Sequence, residues 1–383
     1  MKLDQILALQ DFEPAARRYL PRPLYGYIAG ASETNASFRD NRAVYDEYAF
    51  LPRALVSTAK RTRATTLFGR TYSSPFGICP MGMAAILAYR GDIMLARAAA
   101  AENIPMILAG SSLIRLEEVK KEGATAWFQA YLPGDQPRID ALVERVAAAG
   151  YDTLVVTVDT PVLANRENNV RNGFSTPLRP SLRLAWQGIT HPRWTVNTFL
   201  RTLVKHGMPH FENSFATRGA PIMARNVMRD FGARDHLDWT HMEAIRRTWK
   251  GRFLLKGIVH PEDARRARGL GVDGIIVSNH GGRQLDGMVS PLRVLPAIVE
   301  AVPDLPVLMD SGVRRGTDIM KAFALGARFV FVGRPFLFAA VIAEEAGVRH
   351  GIRLLNEELQ RDMALAGINS LGELGPDSLL KLG

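Results

Sequence analysis

The segment Ser278–Asp286 combines side chains that could move a proton and bind an anion. His280 and Arg283 stand on either side of a Gly-Gly pair, and those glycines let the backbone bend so that both side chains reach the same place. Imidazole titrates near neutral pH and suits a general base, whereas a guanidinium forms a bidentate pair with an anion. The segment therefore predicts a site that takes a proton from an anionic substrate.

Two further polar residues, Asp159 and Arg166, follow an apolar run earlier in the chain. If they reach the same site, Asp159 can pair with His280, and Arg166 can supply a second cation for a carboxylate. The residue types alone leave an alternative open, in which these charges form separate structural salt bridges.

A lysine and two arginine-bearing loops extend the candidate site. Lys256 follows Phe-Leu-Leu, a position where an unpaired charge is costly to bury. The last two apolar runs are followed by the loops Asp310–Arg315 and Gly333–Arg334. Glycines let backbone amides approach phosphate oxygens, and Arg314 or Arg334 can pair with those oxygens. These loops therefore predict a phosphate-binding site.

Eight short apolar runs, each followed by a loop and a helical stretch, must position these residues. The runs are Phe76–Pro80, Met106–Ala109, Ala126–Tyr131, Thr153–Asp159, Phe253–Val259, Gly274–Asn279, Val307–Asp310 and Phe329–Gly333. They predict an α/β protein with a (β/α)8 TIM barrel, in which residues at the carboxyl ends of the strands meet at one mouth. The alternative is a doubly wound open sheet, but the Gly-x-Gly-x-x-Gly match at Gly269–Gly274 precedes a strand instead of following one.

The spacing of the runs divides the chain into parts. Residues 1–74 are expected to form an N-terminal helical segment, and residues 75–160 and 251–383 the barrel. More than 90 residues separate the fourth and fifth runs, so residues 161–250 are expected to form an insertion. This insertion carries a basic amphipathic segment.

Composition excludes several classes of protein. The 383 residues include 48 Lys or Arg and 38 Asp or Glu, and most of the resulting excess of +10 lies in residues 171–234. A regional patch argues against a general nucleic-acid-binding surface. The single cysteine, Cys79, allows neither an internal disulfide nor a cysteine-based zinc site. No apolar run approaches the roughly 20 residues that cross a bilayer, so we expect a cytoplasmic protein.

Five motifs together carry a resemblance to a known family. They are Thr157-Val-Asp-Thr-Pro161, Leu254-Leu-Lys-Gly257, Ser278-Asn-His-Gly-Gly-Arg-Gln-Leu-Asp286, Asp310-Ser-Gly-Val-Arg-Arg-Gly316 and Gly333-Arg-Pro335. Over nearly its full length the chain resembles the FMN-dependent L-2-hydroxy acid dehydrogenase and oxidase family. The resemblance implies one domain over residues 1–383, FMN as the cofactor, and oxidation of a lactate- or mandelate-like L-2-hydroxy acid to the 2-oxo acid.

The resemblance also implies roles for individual residues. His280 becomes the catalytic base, Asp159 stabilises its imidazolium form, and Lys256 lies beside the flavin ring. The residues matched to substrate binding are Tyr27, Tyr131, Arg166 and Arg283. The residues matched to FMN binding are Pro80, Met81, Gly82, Gln129, Thr157, Lys256, Ser278, Asp310, Gly312, Arg314, Gly333 and Arg334. No metal is implied, and the side chain of the acid stays unnamed, with Ser111 and Leu163 as candidates to line its pocket.

The insertion resembles that of the membrane-associated bacterial members of the family. It places Arg193, Arg201 and Lys205 among apolar residues that include Trp186 and Trp194, a composition suited to anionic headgroups and the membrane interface. We therefore expect peripheral binding to the inner face of the cell membrane, and by resemblance a homo-oligomer, specifically a tetramer. The alternative is that the insertion serves as a lid or a subunit contact.

The electron acceptor is the least determined expectation. Gly82 stands where oxidases of the family often carry alanine, which favours a dehydrogenase that passes electrons to a membrane quinone. The alternative is an oxygen-dependent oxidase that produces hydrogen peroxide. Nucleic acid is not expected as a partner, and related FMN barrels that act on nucleotides or isoprenoid diphosphates lack the combination of Asp159, His280 and Arg283.

Overall fold

Eight parallel strands close into a barrel in the computed structural model, which describes residues 3–175, 181–224 and 234–382. The barrel strands are β4 (Phe76–Ile78), β5 (Met106–Ala109), β6 (Ala126–Ala130), β7 (Thr153–Thr157), β8 (Arg252–Ile258), β9 (Gly274–Val277), β10 (Val307–Met309) and β11 (Phe329–Val332). Outside the barrel, the described residues form β1 (Tyr48–Phe50), β2 (Thr65–Leu67), β3 (Arg70–Tyr72) and β12 (Leu379–Lys381). Strands β4 to β11 pair in chain order, and β11 returns to pair with β4. The predicted TIM barrel is confirmed, and the open doubly wound sheet is excluded.

Helices cover the outside of the barrel. Those that follow barrel strands are Ala84–Leu87, Gly91–Ala101, Leu116–Glu122, Gln136–Ala148, Trp239–Thr248, Pro261–Gly269, Pro291–Ala301, Gly316–Ala324 and Arg334–Ala366. The last is two helices that meet at a kink at Ala343 and Glu344. Local sequence sets the boundaries: the Asp135 side chain accepts a hydrogen bond from the amide of Arg138 and caps the helix Gln136–Ala148.

The interior of the barrel is filled at its amino end. Inward-facing residues alternate along the strands, as the two-residue period of a strand requires; they are Ile107, Trp127, Val155, Leu254, Ile276, Leu308, Phe329 and Phe331. The β2–β3 hairpin packs Leu67 and Tyr72 against this cluster. Arg252, at the start of β8, donates to the carbonyl oxygen of Phe68 at 2.8 Å, which places the hairpin at the amino end. Room for a ligand therefore remains at the carboxyl end.

Helices and short strands precede the barrel. The helices are Phe12–Tyr19, Arg22–Ala29 and Ala36–Asp46, and short 3-10 turns lie at Leu3–Gln5 and Leu9–Asp11. β1 pairs antiparallel with β12, so Tyr48 lies opposite Lys381. Two further 3-10 turns, Leu371–Glu373 and Pro376–Ser378, lead into β12.

A long excursion leaves the barrel between β7 and β8. Besides Trp239–Thr248, its described helices are Glu167–Asn172, Leu182–Thr190, Pro192–Trp194, a π-helical turn at Thr195–Leu200, and Arg201–His206. Three of the basic residues counted in this region, Arg179, Arg225 and Arg229, lie outside the described residues. Within the described ranges, no helix combines the length and the apolar character that crossing a membrane requires.

Candidate active site

A cavity of about 600 Å³ lies at the carboxyl ends of the barrel strands. Residues 79–83 after β4, Tyr131 after β6, and His280 after β9 all line it. Its volume is in the range of sites that bury a small molecule. The barrel therefore brings the loops that the sequence singled out to one mouth.

A histidine and an aspartate form a hydrogen-bonded pair in this mouth. Nδ1 of His280 lies 3.0 Å from Oδ1 of Asp159, and Nε2 of His280 lies 3.3 Å from the hydroxyl of Tyr131. His280 has a φ of 57°, a left-handed conformation that is uncommon for a residue with a side chain and occurs often at functional sites. Because Asp159 accepts from Nδ1, Nε2 is left as the basic nitrogen that faces the cavity.

The surroundings of His280 keep it neutral near physiological pH. Burial lowers the pKa of His280, and the carboxylate of Asp159 opposes that effect without overcoming it. Burial raises the pKa of Tyr131, so its phenol stays protonated. His280 is therefore a neutral base, and the hydroxyl group of Tyr131 beside it is a hydrogen-bond donor.

Two arginines of the mouth attach the N-terminal segment to the barrel. Arg283 donates to the carbonyl oxygens of Tyr27 at 2.7 Å and Gly30 at 2.8 Å, and Arg334 donates to that of Ile28 at 2.9 Å. These oxygens belong to the last turn of the helix Arg22–Ala29, where backbone carbonyls lack partners within the helix and favour cations. The helix end thus forms one wall of the cavity.

Arg166 lies in the same wall. Its guanidinium donates to the carbonyl oxygen of Arg283 at 3.0 Å and to the side-chain oxygen of Gln284 at 2.6 Å. The hydroxyl of Tyr27 lies 3.4 Å from the carbonyl oxygen of Gly82, and the ring of Tyr27 stacks on Phe174 with 4.7 Å between centroids. The four residues matched to substrate binding therefore line one cavity, and these are Tyr27, Tyr131, Arg166 and Arg283. Arg283 in addition binds backbone carbonyl oxygens of the N-terminal segment.

A buried lysine lies at the floor of the cavity. Nζ of Lys256 is 3.0 Å from Oδ2 of Asp310 and 2.8 Å from the hydroxyl of Ser278. Burial alone would lower the pKa of Lys256, but the carboxylates of Asp310 and Asp159 outweigh that effect and raise it. The floor therefore carries a fixed positive charge.

Two buried polar atoms near the floor support a cofactor there. Nε2 of Gln129 and the hydroxyl of Thr157 have no hydrogen-bond partner among the described residues. Buried polar groups are nearly always paired, so these two indicate a polar ligand. A flavin ring supplies carbonyl oxygens and ring nitrogens that suit an amide, a hydroxyl and an ammonium group. The residues of the floor thus fit FMN.

The far end of the cavity fits a phosphate. The described lining there includes Gly312, Arg314, Gly333 and Arg334. Gly312 has a φ of 84°, and a β-carbon there would collide with the carbonyl group of Asn41, so only glycine fits. Burial lowers the pKa of the Arg314 guanidinium, which indicates a cation that a bound anion would stabilise.

Most of the residues predicted from the sequence line this one cavity. Three predicted residues are not in the lining: Asp159 contacts the lining residue His280, Ser278 contacts the lining residue Lys256, and Gln129 is buried, with its side-chain oxygen accepting from the amide of Gly110 at 3.2 Å. The remaining predicted residues are in the lining, and these are Tyr27, Pro80, Met81, Gly82, Tyr131, Thr157, Arg166, Lys256, His280, Arg283, Asp310, Gly312, Arg314, Gly333 and Arg334. Ser111 and Leu163 also line it.

Sequence reasoning did not assign every residue of the lining, and Arg234 and Cys79 are two that it missed. The guanidinium of Arg234 lies 4.5 Å above the centre of the Tyr131 ring, although the sequence assigned this arginine to a surface patch. Cys79 lies between the β4 strand and Pro80 and contacts Asp310. Its position directly before a predicted site residue was the only signal in the sequence.

The insertion exposes apolar side chains in two helical rows. Leu182, Trp186 and Ile189 are 92%, 62% and 69% exposed, and their spacing places them on one face of the helix Leu182–Thr190. A second exposed row consists of Val196, Leu200 and Val204. Exposed apolar rows of this kind mark a candidate interaction site.

Trp194 does not belong to this exposed surface, contrary to the sequence-based expectation. It is buried, its indole nitrogen donates to the carbonyl oxygen of Ile86 at 3.0 Å, and its ring stacks on Phe199. Trp194 therefore anchors the insertion to the barrel. Helical periodicity explains the difference, because Trp194 lies on the opposite side from the exposed row.

The basic residues of the insertion are also not one surface patch. Arg171 pairs with Glu167, Arg201 pairs with Glu344 at 3.2 Å, and Arg218 pairs with Glu212 at 2.8 Å. Arg193, on the short helix Pro192–Trp194, and Lys205, next to Val204 of the second row, are exposed. Local charge counting overestimated the surface charge because it could not see these ion pairs.

The closed barrel, the base, the lysine floor and the phosphate loops together define a flavin-binding barrel oxidoreductase. The family model described as FMN-dependent dehydrogenase matches residues 16–381. The chain belongs to the FMN-dependent dehydrogenase family, which confirms the resemblance found in the sequence, and its cofactor is FMN.

Known relatives cover almost the whole chain. The L-lactate dehydrogenase of Pseudomonas aeruginosa strain LESB58 is 39% identical over 381 residues, with 98% of each chain covered. The solved structure of the monotopic membrane protein (S)-mandelate dehydrogenase matches with a TM-score of 0.92 and 33% identity, covering 98% of this chain and 100% of that one. Mandelate oxidase solved with benzoyl-formic acid matches with a TM-score of 0.81 and 35% identity, covering 98% and 99%.

Proposed function

We propose that this protein oxidises a lactate- or mandelate-like L-2-hydroxy acid to the 2-oxo acid through FMN and passes the electrons to a quinone in the membrane. The observation that carries the reaction is the Asp159–His280–Tyr131 chain, which faces the same space as Arg166 and Arg283. Relatives named L-lactate dehydrogenase and (S)-mandelate dehydrogenase support the substrate class.

Each side chain of the site has its own role in the proposed reaction. Arg166 and Arg283 hold the substrate carboxylate, and Tyr131 holds its hydroxyl oxygen. Oxidation removes two hydrogens from the substrate, one from its hydroxyl oxygen and one from carbon 2. His280 takes the hydroxyl hydrogen as a proton through Nε2, and Asp159 stabilises the imidazolium that results. FMN, when bound, would accept the hydrogen of carbon 2 together with two electrons, and the charge of Lys256 would favour the negative charge of the reduced ring.

Reduction of the flavin by a panel of acids tests this proposal. We expect a yellow protein with one FMN per chain, whose absorbance bleaches when L-lactate or L-mandelate is added without air. The D enantiomers are the matched controls, since with the carboxylate bound in the same way they cannot place the hydroxyl at His280 and the hydrogen of carbon 2 at the flavin together. A protein that takes up FMN and bleaches with none of the L acids contradicts the proposal.

The same reduced protein tests the acceptor. A quinone analogue should reoxidise it much faster than dissolved oxygen does, because Gly82 favours the dehydrogenases of the family. The fold itself supports both classes, since mandelate oxidase is also a structural neighbour. Reoxidation by air at the quinone rate, with stoichiometric hydrogen peroxide, would assign the protein to the oxidases.

The membrane proposal has its own support in the exposed apolar rows of the insertion. Apolar side chains can enter the interface, while Arg193 and Lys205 attract anionic headgroups, each cation adding about 1 kcal/mol. The monotopic structural neighbour agrees with this arrangement. We place the protein on the inner face of the cell membrane and, by family resemblance, as a homotetramer.

Replacing Trp186 and Ile189 by aspartate should abolish sedimentation with anionic vesicles while dye-linked activity with a soluble acceptor stays intact. Both side chains lie on the exposed face and outside the cavity, so the change removes only interface contacts. Leu365→Asp is the matched control, because Leu365 is 74% exposed on the helix Arg334–Ala366. If the unaltered protein ignores vesicles and the double variant changes the oligomeric mass, the face is a subunit contact.

A further inference from the structure

Three side chains from different strands meet at the floor of the cavity. The sulfur of Cys79, just after β4, lies 3.2 Å from Oδ2 of Asp310, just after β10. Nζ of Lys256, in β8, lies 3.0 Å from the same oxygen. All three side chains are buried and line the cavity, so the thiol and the ammonium group share one acceptor beside the FMN site.

The thiol is the donor in this contact. Burial and the nearby carboxylate of Asp310 raise the pKa of Cys79 far above its usual value, so the sulfur keeps its hydrogen. The pKa of Asp310 is lowered, against the effect of burial, by Lys256 and by hydrogen bonds, so its oxygens only accept. The other oxygen, Oδ1, accepts from the hydroxyl of Ser311 at 2.9 Å.

The ammonium group of Lys256 has one hydrogen left for a ligand. Asp310 and Ser278 accept two of its three hydrogens, and the described residues provide no third acceptor. The buried hydroxyl of Thr157, which also lines the cavity, likewise has no partner. The third hydrogen of Lys256 and the hydroxyl of Thr157 can therefore both bind a ligand at the floor. The position of Nζ then depends on how strongly Asp310 and that ligand each attract it.

We propose that Cys79 is a positioning residue that sets the reduction potential of the bound FMN through Asp310 and Lys256. The proposal rests on FMN binding at this floor and not on the identity of the acid. The thiol occupies one lone pair of Oδ2 and offsets part of the carboxylate charge. Without it, Asp310 draws Lys256 more strongly, and the field of the ammonium group at the flavin ring weakens.

Replacing Cys79 by alanine should therefore lower the midpoint potential of the bound flavin. We expect the ratio of reduced to oxidised flavin at a fixed potential to fall about tenfold, equal to about 30 mV for a two-electron couple. Cys79→Ser keeps a donor at the same place and should remain close to the wild-type potential. The potentials are read by equilibration with reference dyes and require no substrate.

The two variants separate a hydrogen-bonding role from simple packing. If Cys79 only fills space, alanine and serine shift the potential equally or not at all, and either result overturns the proposal. If the alanine variant does not retain FMN, the dissociation constant of FMN takes the place of the potential: serine near the wild type with alanine weaker supports the proposal, and equal loss contradicts it. If none of the L-2-hydroxy acids reduces the flavin, the midpoint potential and the dissociation constant of FMN can still be measured, because neither requires a substrate.

A second measurement observes the thiol directly. Cys79 is the only cysteine, so the infrared S–H stretching band of the protein has a single source. A band lowered in frequency, as a donating thiol gives, supports the proposal, and it should move back toward the free-thiol position in Asp310→Asn. A band at the free-thiol position in the unaltered holoenzyme overturns it.

Discussion

Replacing His280 by glutamine should leave FMN bound and slow flavin reduction by at least about 10² to 10⁴, the usual contribution of a positioned base. Glutamine has a similar reach and can still donate to Asp159, but it has no nitrogen that accepts a proton at neutral pH. The measurement is anaerobic stopped-flow bleaching at saturating L-2-hydroxy acid.

The control for this variant is a histidine outside the cavity. His260 caps the helix Pro261–Gly269 through the amide of Glu262, and His260→Gln should reduce its flavin at the wild-type rate. The wild-type rate should also fall on the acid side with an apparent pKa lower than that of an ordinary histidine, because burial lowers the pKa of His280 and only its neutral form is a base. An unchanged rate in His280→Gln would mean that another group takes the proton.

Replacing Lys256 by methionine should have two large effects. It removes the fixed charge that stabilises the reduced ring, and we expect reduction to slow by about 10² to 10³, as when a preorganised electrostatic contact is lost. It also leaves the carboxylate of Asp310, 4% exposed, without its ionic partner, which should lower the free energy of unfolding by about 3–5 kcal/mol. Urea unfolding of the FMN-free proteins measures the second effect.

A double variant separates these two effects. In Lys256→Met with Asp310→Asn no uncompensated charge is buried, so stability should recover while the rate of flavin reduction does not. If the single variant unfolds like the wild type, Lys256 and Asp310 do not form the buried ion pair described above. If the double variant regains the wild-type rate of flavin reduction, Lys256 affects that rate only by stabilising the folded protein.

The strands could be predicted because each carries its own signal. The run Thr153–Asp159, for example, is apolar, short and rich in β-branched residues, and it ends two residues beyond the observed strand β7. The mouth followed from the barrel rule, since residues after such runs meet at the carboxyl end. The individual roles came from the resemblance, because spacing alone could not separate a catalytic pair from salt bridges.

What the sequence could not predict depends on contacts between distant residues. The pairing of β1 with β12 joins strands of three residues, too short for a periodic pattern. Arg234 looked like surface charge until the fold placed it over Tyr131, and Trp194 looked like an interface residue until it packed beneath the insertion. Cys79 carried no pattern, because its role requires Asp310, which lies far away in the chain.

The attachment of the helix Arg22–Ala29 to Arg283 and Arg334 has a consequence for biosynthesis. The helix is translated before the barrel strands, yet Arg283 and Arg334, whose side chains hold its last carbonyls, follow β9 and β11 in the chain. The segment that walls the cavity therefore docks after the barrel strands exist, and the mouth remains open on that side until then.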